Sequence, residues 1–314
     1  MKDGLVTMIG GGGFVGRYVA QALFKTGIRV RIAQRDPRAA YFLGPLSALG
    51  QTQIVAADVT RPDSIAHAVD GADVVINLVG VLAGDFQRYH VDGARTVAEA
   101  AAKAGASALI HVSAIGADAA SPSAYGRSKG EGEAAVRAAF PAATIVRPSI
   151  VFGREDAFIN RFAGMIAKAP VVPVLRAGTR FQPVFAADVG DAIAAIVDRP
   201  GETAGKTYEL GGPDVMTMGE IIRWIAAAIG RTPSIVELPD AAGALIARAG
   251  FLPGAPITRD QWLMLQRDNV VAPGAEGLAA LGVTPTPLAA VAPEWLVRFR
   301  RQGRFGRRNA DLAA

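Results

Sequence analysis

Three side chains near the middle of the chain could together transfer a proton during an oxidation or a reduction. Tyr125 and Lys129 are four residues apart, so a helix would place both on one face. A free phenol, with a pKa near 10, becomes a useful acid or base at neutral pH only when a positive charge stabilises its phenolate. Lys129 and the positive end of a nicotinamide ring can supply that charge, while the Ser113 hydroxyl can bind a carbonyl or alcohol oxygen. Such a Tyr-x-x-x-Lys pair also occurs by chance, but its position after a strand ending near Ser113 favours a hydride-transfer site.

A glycine-rich run near the N-terminus could bind the phosphates of a dinucleotide. An apolar stretch leads into Gly10, Gly13 and Gly16, which are spaced three residues apart, and a helical pattern follows. Backbone N–H groups can approach a pyrophosphate only where no Cβ intervenes, and the last glycine lets the helix pack close to the strand. Because the run lies between a predicted strand and a predicted helix, it predicts a dinucleotide site that also includes Phe14 and Val15.

The residues after the second predicted strand bear on which dinucleotide binds. A carboxylate there would accept hydrogen bonds from the ribose of NAD and repel the extra phosphate of NADP. Here Gln34 ends the strand and Arg35 follows, so we expect NADP(H) to be favoured over NAD(H). Two alternatives stay open: Arg35 could be an ordinary surface charge, and a register shift of two residues would bring Asp36 to the NAD-type position.

The order of strands and helices predicts an α/β fold with a doubly wound parallel Rossmann sheet. Short β-rich runs alternate with helical stretches as far as residue 153, which is typical of parallel strands joined by right-handed crossovers. The predicted strands are 5–9, 29–33, 53–57, 73–78, 108–113 and 143–150, and the predicted helices between them are 14–25, 62–69, 94–104 and 124–138. We expect three further elements to return to the same sheet, at 184–185, 187–198 and 206–210.

We expect two domains that meet at residue 212. The NAD(P)-binding Rossmann domain would cover 1–212, with its core in 1–153 and the returning elements in 184–212. A smaller, mainly helical C-terminal part would cover 213–314 and include a helix over 218–229. In that part, the apolar segment 239–253 could be a buried helix or one lying on a membrane interface, and its length favours the buried helix.

Composition excludes several kinds of chemistry. The 314 residues contain no cysteine, which excludes disulfides, thiolate catalysis and thiolate-bound iron–sulfur clusters. His67, His90 and His111 show no ligand-like spacing, so we expect structural histidines and no metal site. The chain begins with a predicted strand and has no apolar run of membrane-spanning length, so we expect neither export nor a membrane span.

The charge of the chain is concentrated near its C-terminus. Six arginines and no acidic residue lie between Arg298 and Arg308. This run could be a solvated tail, or it could contact anionic lipid headgroups, an acidic protein or RNA. We expect no nucleic-acid partner, because only Phe299 and Phe305 could stack on bases there.

The glycine loop together with Ser113, Tyr125 and Lys129 resembles the short-chain dehydrogenase/reductase superfamily in its extended or atypical branch. The resemblance extends to about residue 212 and implies roles for further residues. Asp58 and Val59 match the position near the adenine, and Pro148 to Ile150 match the stretch that approaches the nicotinamide. The residues that match the loop beneath the centre of the cofactor are Leu78, Val79 and Gly80.

Further segments narrow the resemblance to one branch. They are 77–80, 110–113, 145–149, 151–156, 182–184, 188–189, 257–260, 277–278 and 281–288. This set resembles a bacterial version of the Rossmann-fold accessory subunit family of respiratory complex I, alpha-subcomplex subunit nine of NADH:ubiquinone oxidoreductase. The resemblance implies tightly bound NADPH with a structural role, outside the electron-transfer path. It also implies peripheral-arm subunits as partners, beside the quinone-access region at the cytoplasmic face of a bacterial inner membrane, with anionic lipid within reach.

The retained trio keeps an enzyme as the alternative. A stand-alone NAD(P)-dependent reductase or epimerase, acting on a small carbonyl or quinone-like substrate, would need Ser113, Tyr125 and Lys129 as catalytic residues. In an accessory subunit the same three residues would be vestigial. The sequence leaves the question of turnover open.

Overall fold

A computed structural model describes residues 4–251, 257–301 and 303 of the chain. In this part the strands, numbered β1 to β13, are Leu5–Ile9, Arg29–Gln34, Thr52–Ala56, Val74–Asn77, Ala108–Val112, Thr144–Pro148, Val151–Phe152, Val171–Leu175, Arg180–Phe181, Val184–Phe185, Thr207–Leu210, Met216–Thr217 and Ser234–Leu238. The α-helices, numbered α1 to α12, are Phe14–Lys25, Pro62–Val69, Gly93–Lys103, Ala124–Ala139, Phe158–Lys168, Ala186–Asp198, Pro200–Thr203, Met218–Ala228, Asp240–Arg248, Arg259–Met264, Leu288–Val291 and Pro293–Leu296. Short 3₁₀ helices cover Pro37–Leu46, Leu278–Leu281 and Val297–Phe299, and a π-helix covers Gln87–Asp92.

A seven-stranded parallel sheet forms the centre of the first of two compact units. This unit consists of the described residues of Met1–Pro148, Ala186–Leu210 and Val271–Pro285. The strand order is β11-β6-β5-β4-β1-β2-β3, and every neighbouring pair is parallel. Parallel strands bury both faces, which explains why β4 and β5 are mainly apolar and are buried along their whole length. The predicted doubly wound sheet is confirmed.

Helices cover the two faces of this sheet. On one face, α2, α3 and α4 share a core with the strands, and Ile65, Val97 and Val136 are among the helical residues that fill it. Helices α1 and α6 form a separate pair and pack against each other. A Cβ on Gly190 would lie 2.7 Å from the Tyr18 carbonyl oxygen, so glycine permits this close contact.

The second unit is smaller and contains most of the remaining helices. It consists of the described residues of Ser149–Phe185, Gly211–Val270 and Thr286–Ala314. Its core is formed by apolar faces of α5 and α8 with Trp295. Three pairs of short strands complete it: β7 with β10, β8 with β13, and β9 with β12.

The prediction that residues 184–185 return to the large sheet is wrong. Thr207–Leu210 does join the large sheet beside β6, but Val184–Phe185 pairs with Val151–Phe152 in the second unit. The predicted strand 143–150 in fact ends at Pro148. A proline has no N–H to continue the ladder, so the residues after it leave the sheet and offer Val184 a different partner.

The boundary expected at residue 212 differs from the division into units. Ser149–Phe185 groups with the second unit, whereas Val271–Pro285 returns to the first. Val271–Pro285 returns because Glu209 Oε2 accepts a hydrogen bond from the Ala272 backbone N–H at 2.9 Å, and the Glu276 carbonyl accepts one from Glu209 N. These contacts join residues more than sixty positions apart, which local sequence patterns do not report.

The prediction of a buried helix in 239–253 is also wrong. The helix α9 covers Asp240–Arg248, and of its residues only Gly243 and Ala247 are buried. Leu245 is 68% exposed. Gly243 lies so close to Trp262 that a Cβ there would collide with the indole ring. Residues 252–253 of the segment lie outside the described residues.

Part of the basic C-terminal run is ordered against the second unit. Arg300 donates from Nε and Nη2 to the Ala228 carbonyl at 3.1 and 3.0 Å, at the end of α8. Arg300 is therefore a capping residue rather than part of a solvated tail. Arg304, Phe305, Arg307 and Arg308 lie outside the described residues. Among the residues that are described, no helix is both long and apolar enough to span a membrane.

Candidate functional site

The glycine loop lies at the carboxyl end of β1, an interior strand of the large sheet. Gly10 has φ +80°, a conformation that a residue with a Cβ rarely adopts, and its N–H donates to the Ala33 carbonyl at 2.7 Å. Gly13 precedes α1 and provides no side chain to cap it. The first N–H groups of α1 lack partners within the helix, as at any helix N-terminus, and are directed toward the space above this loop.

The glycines of this loop differ in what a side chain would meet. A Cβ on Gly16 would collide with the Gly11 carbonyl oxygen, so this glycine is needed for packing. On Gly13, a Cβ would meet only the Gly10 carbonyl oxygen, at 3.3 Å. Gly13 therefore leaves the approach to the backbone open without being needed for the fold.

Asp36, the residue that a register shift would bring to the NAD-type position, caps a helix. Its Oδ1 accepts a hydrogen bond from Arg38 N at 3.0 Å, at the start of the 3₁₀ helix Pro37–Leu46. Because β2 ends at Gln34, Asp36 lies two residues beyond the strand. Arg35 is the first residue after β2 and lies at the carboxyl edge of the sheet.

A charged cluster surrounds Tyr89 near Arg35. The Arg35 and Arg88 guanidinium carbons lie 5.7 and 5.9 Å from the centre of the Tyr89 ring. Burial alone would raise the pKa of Asp58, but hydrogen bonds from Thr60 and the charges of Arg35 and Arg88 outweigh it and lower that pKa. Asp58 is therefore an ionised acceptor beside two guanidinium groups.

Val59, its neighbour in the sequence, is buried in the core of the first unit. Its side chain packs against the start of α3, where a Cβ on Gly93 would lie 2.8 Å from Val59 Cγ2. Val59 thus anchors the segment that carries Asp58.

The loop Leu78–Gly80 follows β4 and packs beside the glycine loop. Asn77 Oδ1 accepts a hydrogen bond from Val79 N at 3.1 Å, which fixes the turn out of the strand. A Cβ on Gly10 would lie 3.2 Å from Val79 Cγ2. The two loops meet because β1 and β4 are neighbours in the sheet and both end at this edge.

Ser113 and Lys129 are brought together at the end of β5. Lys129 Nζ donates to the Val112 carbonyl at 3.0 Å, one residue before Ser113. Tyr125 lies one turn earlier on α4, and Ser123 caps that helix by accepting a hydrogen bond from Gly126 N. Ser113 Oγ is buried and has no hydrogen-bond partner among the described residues, so it is available to a ligand.

Burial shifts the titration of the catalytic candidates. It raises the pKa of Tyr125 to about 12. Burial also lowers the pKa of Lys129 to about 8, although Glu133 opposes this effect. The Tyr125 phenol thus holds its proton at neutral pH and could donate a hydrogen bond, instead of having the lowered pKa expected beside a lysine.

Pro148 and Ile150 belong to different units. The Pro148 carbonyl accepts a hydrogen bond from Ile115 N at 3.0 Å within the first unit. Ile150 N donates to Asn269 Oδ1 at 3.0 Å within the second unit. The role expected of Ile150 in cofactor binding stays a prediction.

Sequence reasoning assigned no role in the site to Asn77, Arg88, Tyr89 or His90. Asn77 Nδ2 lies 3.2 Å from His111 Nδ1, and His90 bonds to the backbone of Val81. No motif in the sequence marks these four residues, because the contacts of isolated polar side chains depend on the fold. Within the described part of the chain, no group of three or more His, Asp or Glu side chains could hold a metal ion.

A family model matches the part of the chain that contains most of these residues. The NAD dependent epimerase/dehydratase family model covers residues 6–211, about two thirds of the sequence. The chain belongs to this family. An NAD(P)-binding Rossmann fold follows from that membership and agrees with the seven-stranded sheet.

Three curated proteins are similar to the chain beyond the residues that the family model matches. The rat mitochondrial NADH dehydrogenase [ubiquinone] 1 alpha subcomplex subunit 9 is 37% identical over 305 residues, which are 94% of this chain and 80% of the relative. The subunit of the same name from Arabidopsis thaliana is 35% identical, with 95% and 79% covered. Ceramide reductase of Caulobacter vibrioides is 33% identical, with 81% and 80% covered. The resemblance to the subunit nine family is thus confirmed by sequence similarity along most of the chain.

Two solved structures share the fold at low sequence identity. The NADPH-dependent quinone oxidoreductase of Escherichia coli, complexed with NADPH, aligns with a TM-score of 0.75 and 20% identity, covering 93% of this chain and 99% of that one. A dTDP-glucose 4,6-dehydratase from Streptomyces venezuelae aligns with a TM-score of 0.72 and 18% identity, covering 96% and 98%.

Proposed function

We propose that this chain is an NADP(H)-binding accessory subunit of a membrane-associated NADH:ubiquinone oxidoreductase, in which the nucleotide has a mainly structural role. The observation that carries the proposal is the extent of the similarity to the subunit 9 relatives. The rat relative matches 94% of the chain, whereas the family model ends at residue 211. Enzymes that share the fold also extend through the second unit, but at 18–20% identity, whereas the rat subunit does so at 37% identity.

The geometry of the first unit supports nucleotide binding by the predicted residues. The glycine loop provides an open backbone at the start of α1, and the buried Ser113 hydroxyl has a free hydrogen-bonding capacity among the described residues. The proposed cofactor-binding residues of this unit are Gly10, Gly13, Phe14, Val15, Gly16, Arg35, Asp58, Val59, Leu78, Val79, Gly80, Ser113, Tyr125, Lys129 and Pro148.

The preference for NADP(H) rests on Arg35 and Asp36. Arg35 follows β2 directly, where a guanidinium can pair with the phosphate on the adenine ribose. Asp36 already accepts a hydrogen bond as a helix cap, which argues against a role as the ribose acceptor of an NAD site. To test this, the purified chain is denatured in methanol and the released nucleotide is identified by mass spectrometry. NADP(H) is expected, and NAD(H) would overturn the preference.

A structural nucleotide stabilises the fold by binding only the folded state. At a free concentration about 100 times Kd, such a ligand contributes about 2.7 kcal/mol to stability. Burial raises the pKa of Tyr125 to about 12, so the phenol keeps its proton at neutral pH and could donate a hydrogen bond to a bound nucleotide. The chain itself has no cysteine to ligate an iron–sulfur cluster, so electrons would pass through other subunits.

The proposed location is the cytoplasmic face of a bacterial inner membrane, as a peripheral protein bound to the peripheral arm of complex I. To test assembly, the tagged chain is expressed in its native host, the membranes are solubilised gently, and a native gel is stained for NADH dehydrogenase activity. We expect the tag to co-migrate with that activity. The same tag on an unrelated soluble protein is the control, and a tagged chain found only as a small soluble species would overturn the assembly proposal.

A second candidate function is a stand-alone NAD(P)-dependent reductase or epimerase that acts on a small carbonyl or quinone-like substrate. Retention of Ser113, Tyr125 and Lys129 favours it, as does the similarity to the ceramide reductase relative. Oxidation of NADPH is measured with quinones and carbonyl compounds for the natural chain and for Tyr125→Phe. A turnover that the variant loses would support the enzyme. An accessory role predicts no turnover, with nucleotide binding and respiration preserved in the variant.

A further inference from the structure

His90 bonds to two different parts of the first unit through its two ring nitrogens. It is 2% exposed and lies in the π-helix Gln87–Asp92, between β4 and α3. Nε2 lies 2.9 Å from Val81 N, in the loop after β4. Nδ1 lies 2.9 Å from Ser128 Oγ, on α4. The imidazole therefore connects the β4 loop with the helix that carries Tyr125 and Lys129.

The hydrogen bonds define the tautomer of the ring. A backbone N–H can only donate, so Nε2 must accept from Val81 and carry no proton. Nδ1 then carries the proton and donates to Ser128 Oγ, which donates in turn to the Tyr125 carbonyl at 2.9 Å. Burial and the nearby Lys129 charge lower the pKa of His90 to about 4, so the ring is neutral at pH 7.

Packing holds the same ring against α4. The His90 ring stacks on Phe86 at 5.3 Å between centroids and meets the edge of Tyr125 at 5.5 Å. The backbones are close as well, because a Cβ on Gly132 of α4 would collide with the His90 carbonyl oxygen. His90 thus has a fixed position relative to Tyr125.

The loop that His90 holds is the one that packs beside the glycine loop. Asn77 fixes its start by accepting a hydrogen bond from Val79 N, and His90 fixes its end by accepting one from Val81 N. Between them, a Cβ on Gly80 would lie 3.8 Å from Lys129 Nζ and 4.0 Å from His90 Nε2. Gly80 therefore faces both the lysine and the histidine.

We propose that His90 is a positioning residue for nucleotide binding: by accepting from Val81 N, it keeps the Val79–Val81 loop in register with Tyr125 and Lys129. This inference rests on the proposed nucleotide-binding function. The histidine acts through the loop and through α4, so that the glycine loop, Gly80 and Tyr125 can face one dinucleotide at the same time.

Two substitutions separate the two hydrogen bonds. In His90→Gln, the side-chain oxygen can reach the position of Nε2 and accept from Val81 N, whereas in His90→Asn the shorter amide reaches only the position of Nδ1. We expect His90→Asn and His90→Ala to weaken NADPH binding by about tenfold, as the loss of an ordering hydrogen bond would, and His90→Gln to remain within about threefold.

NADPH affinity is measured by isothermal titration calorimetry on the full chain after any co-purified nucleotide has been removed, and thermal unfolding of the same nucleotide-free protein serves as the control for folding. His90→Gln as weak as His90→Asn, or His90→Asn as tight as the natural chain, would overturn the proposal. If His90→Ala does not fold, the Asn and Gln variants still decide. If the natural chain binds neither NADPH nor NADH, the proposed function itself fails.

The tautomer gives an independent readout that a purely packing role would not require. Long-range ¹H–¹⁵N correlation spectra, assigned with the His90→Gln variant, should show a neutral ring protonated on Nδ1 at pH 7, with and without NADPH. A ring protonated on Nε2, or a charged imidazolium, would contradict the hydrogen bond to Val81 and with it the positioning role.

Discussion

At the scale of single residues, Gly13 offers the sharpest test of the glycine loop. Gly13 has φ −74° and ψ −177°, which any residue can adopt, and a Cβ there would meet only one oxygen at 3.3 Å. Gly13→Val should therefore fold but block the approach of a pyrophosphate to the backbone. We expect nucleotide to be absent from the purified variant and NADPH affinity to fall at least about a hundredfold. Nucleotide retained after purification would contradict this assignment.

Gly16→Ala is the matched control for that experiment. Its Cβ would collide with the Gly11 carbonyl oxygen, so the backbone of the loop must move. We expect a lower thermal midpoint in the absence of nucleotide, with a loss on the order of 1–3 kcal/mol in the free energy of unfolding. Gly13→Val should show a much smaller change in that midpoint.

Substitutions of Arg35 and Asp36 should separate the preference for NADPH over NADH from the stability of the fold. We expect Arg35→Gln to weaken NADPH binding by about tenfold or more and to leave NADH binding nearly unchanged, since only NADPH carries the extra phosphate. Asp36→Ala should cost about 1 kcal/mol of stability through the lost helix cap without changing the preference between the two nucleotides. Calorimetric titration with each nucleotide measures both effects, and an equal loss for NADH and NADPH in Arg35→Gln would reject the role of Arg35.

At the scale of elements, strand β5 contains a buried histidine, His111, that should make the free energy of unfolding depend on pH. Burial, together with the charges of Lys129 and His90, lowers the pKa of His111 to about 3. An unfolded histidine has a pKa of about 6.5 and binds its proton first as the pH falls. Between these values the free energy of unfolding should decrease with falling pH, by up to about 1.4 kcal/mol per pH unit from this residue. Above about pH 6.5 its contribution is constant.

His111→Gln tests that dependence. Glutamine does not titrate, although its longer amide extends past the position of His111 Nδ1, which lies 3.2 Å from Asn77 Nδ2. Urea unfolding between about pH 4 and 6 should show a shallower slope for the variant. His67→Gln, on the exposed side of α2, is the matched control. An unchanged slope in His111→Gln would show that another group carries the pH dependence.

At the scale of the whole molecule, one ion network joins distant parts of the chain. Arg147 on β6 donates to Glu133 on α4 at 2.9 and 2.7 Å and to Glu209 on β11 at 3.3 Å. Glu209 also accepts a hydrogen bond from Ala272 N in the returning segment. The two glutamate side chains are only 8% and 11% exposed, so each depends on Arg147 for compensation.

Arg147→Ala should therefore destabilise the protein by about 3–5 kcal/mol, because it leaves buried carboxylates without a partner. The exposed pair of Arg223 and Glu237, at 57% and 56% exposure, is the control, and Arg223→Ala should cost less than about 1 kcal/mol. Both are measured by urea unfolding at neutral pH. A loss for Arg147→Ala no larger than that for Arg223→Ala would show that the network contributes little.

The sequence by itself determined the elements of the first unit and the place of the glycine loop. The helices predicted over 14–25 and 62–69 match the observed bounds, and the six predicted strands before residue 153 are all present in some form. These features depend on hydrophobic periodicity and on glycine spacing, which are local along the chain. The sequence also predicted that these strands are parallel, because strands that alternate with helices can pair in few ways.

Tertiary structure alone decided the rest, because those features depend on contacts between residues far apart in the sequence. Three features depend on contacts between segments that are distant in the sequence. They are the pairing of Val184–Phe185 with Val151–Phe152, the grouping of Val271–Pro285 with the first unit, and the two hydrogen bonds of the His90 ring. Local patterns carry no information about such pairs, whereas the packed sheet brings the ends of its strands to one edge and so decides which side chains can meet.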